Sequence, residues 1–381
     1  MLEDAMSWFG GSVWSQRLEF CRLVGSGSDV SFTELCDRFG ISRKTGYKWL
    51  NRFEVDGADG LRDRSRMPKT SPTRTSALTE AKVLKVRDKH PVWGGRKIRR
   101  RLIDKGNVDV PAASTITDIL RRHGELVPAL SQAGGYTSFE SENPNDMWQS
   151  DFKGWIMTGT GRCDPFDILD DHSRYNLKLE AAKDQQTATV TAYLTETFET
   201  YGMPKRILFD NGTPWGTSQA GFRWTRLTVW LIDLEVSVSH SRPLHPQTLG
   251  KDERFHRTLG LEVISRRPMW DSHQQLQEAF DEWRIVYNHQ RPHDALDLDV
   301  PADRYEPSPR SMPTTIEPVE YPDGYDVRKV STAARISYRG NLYRVGKPFI
   351  GRNVGVVPTT TDGIFEIKYR HQYIRNIDLS Q

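Results

Sequence analysis

Three stretches decide the fold: MWQSDFKGWIM (147–157), RILFDNGTPWG (206–216) and PQTLGKDERFHRTL (246–259). Each stretch contains one candidate acid, Asp151, Asp210 or Glu253, in a distinctive local setting. The first two look like short buried strands, since tryptophan and phenylalanine flank Asp151 and an Ile-Leu-Phe run leads into Asp210. Glu253 opens a run with helical spacing. A carboxylate in an apolar run is costly unless it is paired or binds a metal.

Two strand aspartates and one helix glutamate supply the hard oxygen ligands that a two-metal phosphoryl-transfer site needs. The chain contains 50 aspartates and glutamates, so the three acids alone would indicate nothing. Asp-Asn-Gly at 210–212 is by itself a common turn signal. The three contexts together are therefore the informative signal.

With YNHQRPHDAL at 287–296, these motifs resemble the DDE transposases of bacterial insertion sequences and the retroviral integrases. The resemblance implies a ribonuclease-H-like α/β catalytic core over 146–300. It makes Asp151, Asp210 and Glu253 the catalytic, metal-binding acids, holding two Mg²⁺ ions for which Mn²⁺ can substitute. Water would cut the element's end, and the freed 3′-hydroxyl would attack target DNA without a covalent enzyme intermediate.

The third acid has a rival. Asp210 and Glu253 are 43 residues apart (253 − 210), longer than is usual in the family. Glu235 lies between them, but DLEVSVSH (233–240) places it at the start of a strand rather than on a helix. The family also often has a basic residue where Gly260 stands, a role that Arg257 can take.

The sequence SFTELCDRFGISRKTGYKWLNRF (31–53) predicts a helix-turn-helix within 1–60, after a first helix over 14–23. Gly40 supplies the turn and Ser42 the N-cap of the next helix. That helix should bury Tyr47, and its exposed basic residues suit a DNA groove: Arg43, Lys44, Lys48 and Arg52. An ordinary helical hairpin is the alternative.

A basic linker, 61–77, contains Arg62, Arg64 and Arg66 and is expected either to follow a phosphate strand or to be only solvated. A second helix-turn-helix is predicted over 78–127, with Ser114 as the cap of its third helix. Its expected DNA contacts are Arg96, Lys97, Arg100, Ser114 and Thr115. Segment 128–145 is predicted to be a linker.

On the helix of the third acid, Lys251, Arg254 and Arg257 are further candidates for DNA phosphates, although a solvated helix face explains them equally well. Trp215 either stacks on a splayed base or belongs to the core. Asp170, Asp171 and His172 suggest a structural turn, whereas Arg291 and His293 either contact DNA or cap the long helix over 272–289.

Segment 301–322 is rich in proline and predicted to be a linker, and the short strands of 323–381 predict a small C-terminal β-barrel. The three cysteines are far apart, which excludes a cysteine-based zinc finger and a disulfide framework. Without an apolar span or a signal peptide, a cytoplasmic, nucleoid-associated bacterial protein with no membrane partner is expected.

The predicted function is therefore a transposase that binds the terminal inverted repeats of its element. Its partners would be double-stranded DNA, both transposon ends and target, and further copies of itself, at least a dimer on DNA. The alternative is a sequence-specific DNA-binding regulator with an inactive integrase-like core. A ribonuclease-H-type hydrolase would not explain two helix-turn-helix units.

Overall fold

A computed structural model describes residues 12–27, 30–64, 75–126, 140–216, 224–241 and 250–379. The chain forms two compact units that divide between residues 74 and 75. Most of the linkers 61–77 and 128–145, including Arg66, lies outside the described residues. None of the described helices is long and apolar enough to cross a membrane.

The first unit contains three helices, α1 (Val13–Gly25), α2 (Phe32–Arg38) and α3 (Arg43–Asp56). Gly40 has a φ of 63° in the turn between α2 and α3, and the Ser42 hydroxyl accepts the Thr45 amide at 3.2 Å. Gly46 keeps α2 and α3 close, because a Cβ there would lie 2.8 Å from Cys36 Sγ. The predicted helix-turn-helix is confirmed in shape.

The second unit begins with α4 (Ala77–Lys89), α5 (Gly95–Asp104) and α6 (Ala113–Arg122), which enclose an apolar cluster around Trp93, Ile98 and Ile116. The prediction that Ser114 caps α6 is wrong. The N-cap is Ala112, without a side-chain hydrogen bond, so Ser114 lies inside the first turn and is exposed.

The catalytic core contains β1 (Trp148–Phe152), β2 (Ile156–Thr158), β3 (Gly161–Asp170), β4 (Asn176–Ala182), β5 (Arg206–Phe209) and β6 (Ser237–His240). Side by side lie β4, β3, β1, β5 and β6, and β2 pairs with the start of β3. Strands β1, β5 and β6 are parallel to one another, whereas β3 is antiparallel to β1. The strand expected over 147–157 is divided in two around Gly154, whose φ is 95°.

Helices cover both faces of this sheet. On one face α7 (Thr187–Tyr201) and α8 (Arg226–Asp233) pack with Trp148, Phe166 and Phe209. On the other, α9 (Gly250–Glu262) and α10 (His273–His289) pack with Leu169 and Leu179. This mixed sheet between helices is the predicted ribonuclease-H-like core.

The C-terminal strands are β7 (Asp326–Lys329), β8 (Arg335–Tyr338), β9 (Asn341–Arg344), β10 (Asn353–Pro358), β11 (Ile364–Tyr369) and β12 (Gln372–Asp378). The expected closed barrel is not found: the described strands pair as an antiparallel sheet, β12-β11-β10-β7, and a separate hairpin, β8-β9. Val354, Val356 and Ile367 of the sheet belong to one buried cluster with Ile336 and Tyr338 of the hairpin and with residues of α8. The hairpin and the core therefore share an apolar cluster with this sheet.

Segment 301–322, predicted to be a linker, is held against the core in its first part. The Ser308 amide donates to the Tyr201 carbonyl at 2.8 Å, and the Met203 amide donates to the Arg310 carbonyl at 2.7 Å. Tyr305 stacks on Tyr175 with ring centroids 4.4 Å apart. This part of the segment thus follows the core surface.

Candidate active site

The two strand aspartates lie side by side. In the parallel pairing of β1 with β5, Trp148 is opposite Ile207 and Gln149 is opposite Leu208. Two residues further in the same register, Asp151 is beside Asp210, at the carboxyl end of both strands. The sheet itself therefore brings together two of the three predicted acids.

The backbone and one aromatic ring fix the Asp210 carboxylate. Oδ1 accepts the Gly212 amide at 2.8 Å and the indole N–H of Trp215. A Cβ on Gly212 would lie 3.0 Å from Oδ2, so a larger residue would force the carboxylate to shift by a few tenths of an ångström. Trp215 is 1 % exposed and stacks on Phe209 at 4.9 Å. The structure thus selects the core role for Trp215 over base stacking.

Asp151 lies among further carboxylates. Its partner across the antiparallel pair is Asp167, whose Oδ1 is 2.5 Å from His256 Nε2. Burial, and then the charges of Asp167 and Asp210, raise the pKa of Asp151 to about 7, although His256 opposes the shift. This concentration of negative charge favours a bound cation.

Helix α9 lies along β1 and β3, and its contacts place Glu253. Lys251 reaches Asp171 at the end of β3, and His256 reaches Asp167. A side chain at Gly260 would begin 3.5 Å from Lys153 Cε. Glu253, His256 and Gly260 are spaced i, i+3 and i+7 and therefore share one stripe of the helix. Glu253 is one turn before the histidine, on the stripe that borders Asp151.

The third carboxylate is nevertheless exposed, and the acids do not converge on one point. Among the described residues, no three histidine, cysteine, aspartate or glutamate side chains lie close enough to hold one ion. The residues fit divalent cations in type, as oxygen ligands, and two of the three acids lie on neighbouring strands.

Asp252 was not predicted from the sequence. It is 1 % exposed, and neither carboxylate oxygen has a hydrogen-bond partner. Burial, and then Asp167 and Asp151, raise its pKa well above the usual range. A carboxyl group held neutral and shielded from water is a poorer metal ligand than exposed Glu253. The sequence did contain a signal for this residue, because Asp252 is an acid at a helix position that faces the core.

Glu235 lies at the opposite end of the sheet from Asp210. It precedes β6, where Ser237 pairs with Arg206 at the start of β5, whereas Asp210 follows the end of β5. Its carbonyl accepts a hydrogen bond from Arg310 at 3.0 Å. This geometry removes Glu235 from the two aspartates and leaves Glu253 as the helix acid beside them.

The turn after β3 is structural, as expected. Asp170 accepts the amides of Asn145 and Ser173, both at 2.8 Å, and Asp171 accepts the Ser141 amide at 2.8 Å. Each carboxylate is fully buried and serves the backbone around it. Neither is available to a metal at Asp151.

Arg291 and His293 are also buried rather than placed at a DNA surface. Arg291 Nε donates to Glu262 Oε1 at 2.9 Å. The same carboxylate accepts the indole N–H of Trp283 at 2.8 Å and that of Trp93 at 3.3 Å. Glu262, which was not predicted from the sequence, therefore joins α9, α10 and the second helical unit.

The predicted DNA-contacting residues of α3 are accessible. Arg43, Lys44 and Lys48 are exposed, and Arg52 is half-buried beside the Trp49 ring. None of the four makes an ion pair with a described carboxylate. Tyr47, expected to be buried, is 47 % exposed and stacks on Phe32 at 4.2 Å. In the adjoining linker, Arg62 and Arg64 pair with Asp59 and Asp56.

The basic residues of α5 mostly contact the core. Arg96 Nη1 is 3.1 Å from Asp294 and Lys97 Nζ is 3.8 Å from the same carboxylate. Arg100 pairs with Asp104 at 2.8 Å and with Asp299 at 3.2 Å. On α6, Ser114 is exposed and Thr115 half-buried. On α9, Lys251 pairs with Asp171 at 2.5 Å, whereas Arg254 and Arg257 are exposed.

Comparison with family models divides the chain into known domains. A helix-turn-helix domain matches residues 16–69, and a homeodomain-like domain matches 45–120. Integrase core domains match 141–246 and 234–301. The C-terminal domain of the IS481 family of transposases matches 325–381.

One curated relative is the transposase for transposon Tn552 from Staphylococcus aureus, 24 % identical over 265 residues. The match covers 62 % of this chain and 54 % of the relative, so the chain spans about half of its length. The HTLV-2 integrase catalytic core domain in complex with magnesium is 12 % identical, with 43 % of this chain and 99 % of that one covered and a TM-score of 0.33. A simian T-cell lymphotropic virus intasome with a PP2A regulatory subunit is 15 % identical, with 77 % and 99 % covered and a TM-score of 0.37.

Helix-turn-helix domains, an integrase core and a transposase C-terminal domain follow one another along the chain. This order of domains makes the chain similar to transposases of insertion sequences that have an integrase core.

Proposed function

We propose that this protein binds the terminal inverted repeats of its own element, cleaves DNA there and joins the 3′-hydroxyl end to target DNA. The observation that carries the proposal is the in-register pair Asp151 and Asp210 beside helix α9. Carboxylates at the ends of adjacent strands, with a helix acid alongside, are suited to phosphoryl transfer.

Asp151, Asp210 and Glu253 would hold two Mg²⁺ ions, which Mn²⁺ can replace. When bound, the ions would activate water or a 3′-hydroxyl and stabilise charge on the leaving oxygen. The Gly212 amide and Trp215 orient Asp210 Oδ1 and leave Oδ2 without those donors. Preset ligands lower the cost of organising the site when substrate arrives.

DNA affinity would come mainly from the first helical unit. Helix α3 presents Arg43, Lys44 and Lys48 without an ion pair to any carboxylate in the described part of the chain. Cations in this arrangement can release counterions from a phosphate backbone, and a recognition helix can also contact base edges. Two ends must be paired and joined, so we propose at least a dimer on DNA.

The test is joining of a labelled element end to plasmid DNA in Mg²⁺ or Mn²⁺. We expect Asp151→Asn, Asp210→Asn and Glu253→Gln each to lower joining by at least ~10³-fold, because the neutral side chains cannot replace the ligand charge. End binding should be retained. Glu235→Gln is the matched control and should keep wild-type activity.

Asp252→Asn distinguishes the two neighbouring acids of α9. Because its pKa is raised well above the usual range, the neutral amide resembles the state that burial favours, and we expect far less loss than with Glu253→Gln. If Asp252→Asn abolished joining and Glu253→Gln did not, the assignment of the third acid would be wrong. If the wild-type protein bound element ends but never joined them, the alternative function, a DNA-binding regulator with an inactive core, would be favoured.

A trans-complementation test addresses assembly. Asp151→Asn protein is mixed with protein defective in α3 but carrying all three acids. Recovery of joining supports action between subunits. Full activity from a monodisperse monomer on one DNA end would rule out the dimer.

A further inference from the structure

Lys153 lies near the first candidate acid, and the proposed metal site gives it no role. Its amide donates to the Pro165 carbonyl at 2.9 Å, which continues the pairing of β1 with β3 beyond Phe152. Side chains alternate along an extended strand, so Lys153 is on the same side of β1 as Asp151. A cation therefore lies on the acid-bearing side, two residues beyond the first acid.

Helix α9 leaves room for this side chain. A Cβ at Gly260 would lie 3.5 Å from Lys153 Cε and 3.7 Å from Nζ. Gly260 shares the stripe of Glu253 and His256, so the ammonium group lies where that stripe passes β1. The lysine thus bridges the strand of the first acid and the helix of the third.

Among the described residues, the ammonium group of Lys153 has no partner. None of the ion pairs or side-chain hydrogen bonds of the described residues includes Lys153 Nζ, although the residue is half-buried. Burial raises the pKa of Asp167, and the nearby charge of Lys153 opposes that rise, but no described carboxylate is within 4.0 Å of the ammonium nitrogen. A half-buried cation without a partner is poised for an anion.

We propose that Lys153 binds the phosphate at which DNA is cut and joined, and so is a catalytic residue of the reaction proposed above. The acids and their metals can approach the phosphate from one side, whereas Lys153 contributes a fixed positive charge from the side of α9. Such a charge stabilises the phosphate most as negative charge develops in the transition state. The competing role is a counter-charge that only holds the buried acids together.

Single-turnover joining by preassembled protein and DNA ends tests the proposal, because it separates chemistry from binding. We expect Lys153→Ala to lower the rate by ~10²–10³-fold, with end affinity changed less than about threefold. Lys205→Ala is the matched control, since exposed Lys205 pairs with half-buried Asp146 and lies before β5, at the other end from Asp210. It should keep the wild-type rate.

Metal affinity distinguishes the two roles. Without DNA, Lys153→Ala should bind Mn²⁺ as tightly as wild type or more tightly, because a like charge near the acids is gone. A counter-charge that holds the acids together predicts weaker metal binding and a lower unfolding temperature. That result, or a joining rate within about threefold of wild type, would overturn the proposal.

Relocating the charge is the sharpest variant. Lys153→Ala combined with Gly260→Lys returns an ammonium group to the same space from the helix, where lysine is also a better helix former than glycine. Recovery of at least ~10-fold in rate over Lys153→Ala supports a role for the charge itself. No recovery, in a double variant that is folded and binds ends, would count against it. If the wild type joined nothing, the proposed function rather than Lys153 would have failed.

Discussion

The two helical units have the same sequence pattern, amphipathic helices with runs of arginine and lysine, but different structural roles. The first has its own core around Phe20, Cys36 and Trp49 and leaves the basic residues of α3 exposed. The second belongs to the same compact unit as the catalytic core. The basic residues of α5 pair with segment 290–299 of that core. Basic clusters alone therefore do not identify a DNA surface.

The second helical unit also contacts the helix that carries the third candidate acid. Glu262 ends the helix of the third acid and accepts the Trp93 indole of the second helical unit. Segment 128–145 was predicted to be a linker, yet α4–α6 are attached directly to the core that follows it. Only the first unit is a separate body.

The largest effect is expected when the buried Glu262 junction is removed. Glu262→Ala leaves the Arg291 guanidinium and two indole N–H groups buried without their acceptor, and should cost ~3–5 kcal/mol of unfolding free energy. Glu34→Ala, which breaks an exposed pair with Arg38 in the first unit, should cost ~0–1 kcal/mol. If denaturant titrations showed equal losses of unfolding free energy for Glu262→Ala and Glu34→Ala, the buried junction would stabilise the protein no more than an exposed ion pair does.

Next, the basic residues of the two units should respond in opposite ways. Arg43→Ala with Lys44→Ala should weaken end binding by ~1–3 kcal/mol for each side chain that reads a base edge, and flatten its salt dependence, with stability unchanged. Arg100→Ala with Arg101→Ala should reduce stability more than affinity, because these side chains bind Asp299 and Gln290. Weaker binding at unchanged stability in the second pair would contradict the comparison.

A smaller change separates the second unit from the core. Trp93→Phe and Trp283→Phe each remove one N–H donor from the same carboxylate, at a cost of ~1.5–3 kcal/mol. Only Trp93→Phe should increase hydrogen exchange across residues 75–126, because Trp283 is on α10. Equal protection in both variants would mean that the indole of Trp93 does not hold the unit.

The smallest expected effect is a pH dependence at the same junction. His90 stacks on Trp93 at 3.8 Å, and burial lowers its pKa from 6.5 to about 4. Between those values the unfolded chain takes up a proton and the folded chain does not, so stability falls as the pH drops from 6.5 towards 4. Melting temperatures of wild type and His90→Gln should therefore diverge in this window, with the wild type more acid-sensitive. Parallel curves would exclude His90 as the cause.

The sequence by itself determined the elements whose chemistry is local. Gly40 and Ser42 specify the turn and cap of the helix-turn-helix because each acts within three residues of its own position. The apolar runs around Asp151 and Asp210 specify strands, and helical spacing after Glu253 specifies α9. These patterns predict the strands and helices of the ribonuclease-H-like core, whereas the family resemblance selects its candidate acids.

Only the tertiary structure decided what those elements face. Trp215 is buried beside Asp210, and Asp252 is buried next to exposed Glu253. Glu262 accepts hydrogen bonds from donors in three different parts of the chain. The described C-terminal strands pair as a four-stranded sheet and a separate hairpin, although strand spacing alone suits a barrel equally well. Periodicity shows which face of a helix or strand is apolar, but it does not identify the element that packs against that face when it lies a hundred or more residues away.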